Sequence, residues 1–250
     1  RLANYSEQKM LETTRMNLSA LENILKWNME HGIILFRITS GLIPFGSHSI
    51  NNGEWKKYLK NDFKRIGQFI QNNGLRVSMH PGQYTVINSP TVEYYKRAVA
   101  DLDYHNSVLD LMELDHHHKI ILHGGGVYND INGSTKTLIQ RLNSFPLRLR
   151  KRIVLENDDR SFSAERILHV CSQTNLPGVF DVFHHQVLPS LDKLSLRKII
   201  LKYQKTWSGM RQKIHYSNQA PHKCKGAHSE SIDASQFKIF YKQIRDLQLD

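Results

Sequence analysis

Apolar residues recur at helical spacing through "SEQKMLETTRMNLSALENILKWNMEH" (residues 6–31), with Ser6 placed to cap the first turn and Gly32 to stop the last. "IILFRIT" (33–39) follows as a continuous apolar run of strand length. The same unit then repeats. The pattern predicts helices at 55–73, 93–116, 134–151, 163–175, 189–206 and 233–247, and strands at 75–79, 119–123, 152–156, 178–183 and 212–216. Near-continuous apolar strands alternating with amphipathic helices are what a parallel sheet covered by helices requires. No glycine-rich dinucleotide fingerprint opens the first unit, and the spacing and number of units favour a (β/α) barrel over a doubly wound sheet. No stretch reads as a linker, so residues 1–250 are expected to form a single barrel domain.

The polar residues that matter stand where the apolar strands stop. The tips carry His80 ("SMHPGQY"), His123 ("ILHGGG"), Glu156 ("VLEND"), Asp181 and His184 ("FDVFHH") and His215 ("KIHYS"), with His228 ("KGAHS") on the loop after the last of these. In a barrel the C-terminal ends of the strands converge on one mouth, although they are distant in sequence. Any one of these histidines could be an ordinary hydrogen-bonded imidazole, but five successive tips carrying His, Asp or Glu point to metal. They are ligand types for Zn²⁺ and Mn²⁺, and a carboxylate such as Glu156 can bridge two ions. His116, His117 and His118 ("DHHHK") are read differently, as cations capping the end of the helix before the third strand. His31 and His169 belong to helices, and His185 is expected to point away from His184 along a strand.

Composition narrows the partners. The balance of 34 Lys+Arg against 23 Asp+Glu gives a formal charge of +11, which favours an anionic partner such as nucleic acid. No apolar run is long enough for a membrane span, and no secretory pattern appears. Only Cys171 and Cys224 are present, which excludes a thiolate zinc cluster and a disulfide scaffold and fits a reducing, intracellular compartment.

Six motifs in order, "SMHPGQY", "LHGGG", "LENDD", the Asp181–x–x–His184 pair, "KIHYS" and "GAHS", resemble the ultraviolet damage endonuclease family, a relative of endonuclease IV in the xylose-isomerase-like barrel group. "RLANYSEQ" and "FRITSGLIPFGSH" extend the resemblance to the first residues. It implies a DNA repair endonuclease that hydrolyses the phosphodiester on the 5′ side of a photolesion. The cofactor implied is a cluster of up to three divalent ions, Mn²⁺ foremost, with Zn²⁺ or Mg²⁺ as alternatives. By match, His80, His123 and Glu156 would hold one ion, Glu156, Asp181 and His215 a second, and His184 and His228 the third. Lys213 stands where the family has a carboxylated lysine. Gln83 and Tyr84 match the pair that probes the damaged bases, and His48 matches a further active-site histidine.

Damaged double-stranded DNA is then the partner, with the enzyme acting as a monomer. An abasic-site endonuclease of the endonuclease IV type is the nearest alternative, and a metal-dependent sugar isomerase a more distant one. A closed barrel has eight strands. The pattern yields six, so the reading also expects the first and last strands, and with them one more glutamate ligand, to be missing from this chain.

Overall fold

The computed structural model describes residues 2–250, which divide into two compact units. One comprises the chain as far as Ile121 together with Pro146–Arg152; the other comprises Leu122–Phe145 and Ile153–Asp250.

The first α-helix of the first unit is α1 (Glu7–Glu30), whose N-cap Ser6 accepts the Lys9 N–H as its sequence position promised. Met10, Thr14, Leu18, Leu21, Leu25 and Asn28 recur every three or four residues and form its buried stripe. β1 (Leu35–Ile38) pairs in parallel with β2 (Arg76–Met79), in the register Leu35↔Arg76 to Ile38↔Met79. Between them run α2 (Trp55–Tyr58) and α3 (Lys60–Asn72). Then come α4 (Val92–Leu111) and β3 (Lys119–His123), which pairs in parallel with β2 through Ser78↔Lys119 and Met79↔Ile120. Gly67 lets α3 approach the end of α4: a Cβ there would lie 1.8 Å from the Met112 carbonyl oxygen.

The histidine tract does not cap α4. That helix ends at Leu111, so residues 116–118 form the turn into β3. His118 is buried in that turn and accepts the Val77 N–H on Nδ1 (3.1 Å). The charge that closes this end of the unit is the buried Arg152. Its guanidinium donates to the carbonyls of Leu114, Asp115 and His118 and to the Asp110 carboxylate.

The second unit holds α5 (Ile131–Ser144), β4 (Ile153–Glu156), α7 (Ala164–Thr174), β5 (Gly178–Asp181), α8 (Val182–Val187), α9 (Leu196–Gln204), β6 (Ile214–His215) and α10 (Ala234–Ile244). α6 (Leu147–Arg150), on the first unit's side of the division, is separate from α5 because Phe145 and Pro146 are extended. β4 pairs in parallel with β5 (Leu155↔Gly178, Glu156↔Val179) and β5 with β6 (Phe180↔Ile214, Asp181↔His215). Three expectations shift here. The fifth strand stops at Asp181, because that residue caps a helix and puts His184 and His185 on α8 rather than on a strand. The helix expected from 189 begins at Leu196, and the sixth strand is two residues long.

Candidate metal centre

The centre is built from strand ends of the second unit. Register does the first part of the work: Asp181 is paired directly with His215, and Glu156 lies one strand over at the end of β4. The Glu156 carboxylate is 1% exposed and split between two imidazoles. Its Oε2 lies 3.2 Å from His123 Nε2 and its Oε1 2.6 Å from His215 Nδ1. Glu156, Asp181 and His215 each offer a ligand atom, all within 4.8 Å of one another.

Asp181 does two jobs. One oxygen accepts the His184 N–H (2.7 Å) and so caps α8, which delivers His184 into the same neighbourhood. His184 Nδ1 donates to the Asn157 carbonyl (2.9 Å), and its Nε2 lies 3.3 Å from His228 Nε2. Ser217 Oγ meets the other ring nitrogen of His228 at 3.0 Å. The His123 ring stands edge-on to that of His184, with centroids 5.6 Å apart. Lys213, 8% exposed, immediately precedes β6.

The electrostatics fit a cation. Burial, and after it the Glu156 charge, push the Asp181 carboxyl up to about 6; His184 and His215 offset only part of this. Burial opposes the charged form of His123, but Glu156 outweighs it and raises the imidazole. Two buried carboxylates are therefore held together, at the expense of the ionisation of Asp181, among nitrogen donors. Oxygen and imidazole donors in that density suit Zn²⁺ or Mn²⁺. The residues present thus fit a divalent ion.

The remaining sequence candidates belong to the first unit. His80 follows β2, its carbonyl accepting from Ser40 Oγ (2.6 Å) and its Nδ1 donating to the Pro81 carbonyl (3.0 Å). Gln83 and Tyr84 occupy the turn beyond and are exposed, Tyr84 at 74%. That turn is tied down by Thr85, whose hydroxyl donates to the buried Asp101 carboxylate (2.6 Å). His48 is exposed, and its Nδ1 accepts the Ile50 N–H (3.0 Å), which leaves Nε2 the proton. The sequence reading gave no role to Ser40, Asp101, His105 or Asn157. His105 is buried on α4, where Nδ1 donates to the Asp101 carbonyl (2.6 Å) and Nε2 meets Ser40 Oγ (3.0 Å). Helical position alone would not reveal it. Asn157 had a signal, its place directly after Glu156.

Parallel strands that end in buried carboxylates and imidazoles define a protein of the (β/α) class with a site able to hold metal. The chain belongs to the UV-endonuclease UvdE family, whose model matches residues 2–249. It is 41% identical to a UV DNA damage endonuclease of Clostridium perfringens (strain 13 / Type A) over 252 residues, which is 100% of this chain and 61% of that protein. The chain therefore spans less than two thirds of that relative. A crystal structure of SacUVDE superimposes with a TM-score of 0.93 at 36% identity, over 97% of this chain and 82% of the other. Endonuclease IV from Thermus thermophilus shares the fold alone, with a TM-score of 0.56 and 14% identity over 90% of this chain and 84% of the other. The fold is of the TIM-barrel type, with six strands among the described residues where a closed barrel has eight. Among the described residues no helix is long and apolar enough to cross a membrane.

Proposed function

We propose that the chain is the hydrolytic domain of a DNA repair endonuclease that cuts the phosphodiester on the 5′ side of ultraviolet photolesions. The observation that carries the reading is the Glu156 carboxylate shared between His123 and His215 beside Asp181, in a chain of this family. Divalent ions bound there, Mn²⁺ foremost and up to three per chain, would supply an activated water at neutral pH and neutralise charge on the phosphate and the departing oxygen. Glu156, Asp181 and His215 would hold one ion, and His184 and His228 would contribute to another. By the resemblance, His80 would be a further ligand, and Lys213 stands where the family has a carboxylated lysine. The side chains supply the rest. Glu156 fixes the orientation of two imidazoles at once, and Asp181 positions His184 through the α8 cap. His48, protonated on Nε2, can donate to a phosphate oxygen. The exposed Tyr84 ring offers a stacking plate and Gln83 an amide, suited to a lesion whose bases are already poorly stacked and so cost less to extrude. The surplus of positive charge supplies sequence-independent attraction to the backbone.

The test is nicking of ultraviolet-irradiated supercoiled plasmid, with and without chelator and with Mn²⁺ restored, followed by end-mapping on a photodimer duplex and an abasic duplex. The reading expects chelator-sensitive nicking of irradiated plasmid and a cut 5′ to the photodimer. Nicking unaffected by chelator would remove the metal from the reaction. A cut at abasic sites alone would favour the endonuclease IV type of activity.

A further inference from the structure

Asn157 is completely buried and brings no chemistry of its own, yet two residues of the metal centre hang on it. Its Nδ2 donates to the Asp181 carbonyl (3.0 Å), and its Oδ1 accepts the Asp181 N–H (2.9 Å). Its main-chain carbonyl accepts from His184 Nδ1 (2.9 Å). β4 is paired with β5 only as far as Glu156↔Val179; beyond that point its backbone leaves the sheet, whereas β5 continues to Asp181. The Asn157 amide, with one donor and one acceptor spaced like those of a peptide, stands in for the strand that has turned away. A carbonyl oxygen can only accept, so His184 carries its proton on Nδ1. Its Nε2 lone pair is then left facing His228.

The loop after β4 does not need this amide for its own shape. It has a separate anchor in Asp158, whose buried carboxylate accepts the N–H groups of Arg160, Ser161 and Phe162. What the Asn157 side chain adds is the placement of Asp181, and through the Asp181 cap the placement of His184.

We infer that Asn157 is the positioning residue of the metal centre: it is not a ligand, but it fixes the Asp181 backbone and the His184 tautomer so that both present their ligand atoms. The inference rests on the metal reading proposed above. In the metal-free, ¹⁵N-labelled chain, the His184 ring nitrogens should report the proton on Nδ1, and the Asp181 amide should exchange slowly. Asn157→Ala should lose that amide protection and weaken Mn²⁺ binding, measured by chelator competition, by about 10–100-fold, the usual effect of removing a partner that orients a ligand. Asn157→Asp retains an acceptor for the Asp181 N–H and should keep the amide protected. Leu155→Ala loosens the packing of the same strand without touching a ligand. It should lower the melting temperature and leave Mn²⁺ affinity within a few-fold, which separates positioning from general stability. If Asn157→Ala does not fold, the unsubstituted chain still decides: a His184 proton on Nε2 overturns the inference. Undiminished Mn²⁺ affinity in a folded Asn157→Ala overturns it as well. An unsubstituted chain that binds no Mn²⁺ overturns the metal reading and this inference together, so the two failures are distinguishable.

Discussion

Replacing Asp181 by Asn separates what the fold requires from what a cation requires. The carboxylate is 3% exposed, and burial first, then the Glu156 charge, raise it from its ordinary 3.8 to about 6. A folded-state pKa above the unfolded one means that the folded chain binds this proton more tightly. Without metal, the ionised group therefore costs stability above about pH 6, and the cost fades as the pH falls toward 4. A difference of about two pH units corresponds to on the order of 3 kcal/mol. Asn keeps the side-chain oxygen that accepts the His184 N–H, so the α8 cap survives while the buried charge is removed. In chelator at pH 8, urea denaturation should find Asp181→Asn more stable than the parent by up to that amount. The advantage should vanish near pH 4. With Mn²⁺ at about a hundredfold excess over its dissociation constant, the parent gains about 2.7 kcal/mol by mass action and the variant, short of a ligand, does not; the order then evens out or inverts. An Asp181→Asn chain less stable than the parent at pH 8 in chelator would mean that the protein already compensates this carboxylate. The argument for a cation would then fail.

Glu156→Gln removes the charge shared by His123 and His215; metal content and nicking should collapse while far-UV circular dichroism is unchanged, and normal metal stoichiometry with full nicking would refute its role. Gln83→Ala and Tyr84→Ala should cost binding to a lesion duplex on the order of 1–3 kcal/mol at fixed salt and leave intact duplex unaffected; equal losses on both would make these residues general contacts. His118 gives an opposite pH signature. Burial above all, with Arg152 and Arg76 adding to it, holds its imidazole down at about 4. The chain therefore has the full benefit of the neutral ring above about pH 6.5 and loses on the order of 3 kcal/mol as the pH falls toward 4. His118→Gln, still able to accept the Val77 N–H, should flatten that acid limb in urea denaturation, and an unchanged limb would contradict the assignment. Because Asp181 and His118 slope oppositely over the same pH range, only the variants resolve them.

The strands that carry candidate ligands were legible because each is a short apolar run ending in a polar residue, and that contrast survives whatever the helices do. Glu156, His123 and His215 could be placed at tips from sequence alone. The helix boundaries were harder, for reasons that are local. "FDVFHHQV" contains no breaker, so a strand reading runs through to Phe183; only the Asp181 side chain, folding back on the His184 N–H, turns the chain into α8. Pro146 sits where an apolar-periodic stretch continues on either side, so α5 and α6 merge in the pattern although Phe145 and Pro146 are extended between them. Leu191, in the left-handed region at φ 60°, holds back the start of α9, and no glycine marks the spot. The helix thought to end in the histidine tract stops at Leu111, because Glu113 takes a left-handed conformation before the tract begins.

The candidate residues differ in whether strands or loops place them. Glu156 and Asp181 end strands whose register is fixed by main-chain pairing and, at Asp181, by the Asn157 amide. A shift of one residue in that pairing would turn the strand-borne candidates Glu156 and Asp181 to the other face of the sheet. Gln83, Tyr84 and His48 stand in turns, where Thr85 on Asp101 and the Ile50 N–H on His48 add to the local main-chain hydrogen bonds. Such turns tolerate change without disturbing a sheet. On the proposed function, the strand-end carboxylates would therefore be the part that substitution cannot vary without loss of the centre, and the choice of lesion the part it can. Exchanging residues 82–84 should change which duplexes bind while Mn²⁺ affinity stays the same. The converse, a substitution at Asn157 or Asp181, should lower Mn²⁺ affinity while the preference between lesion and intact duplex is retained.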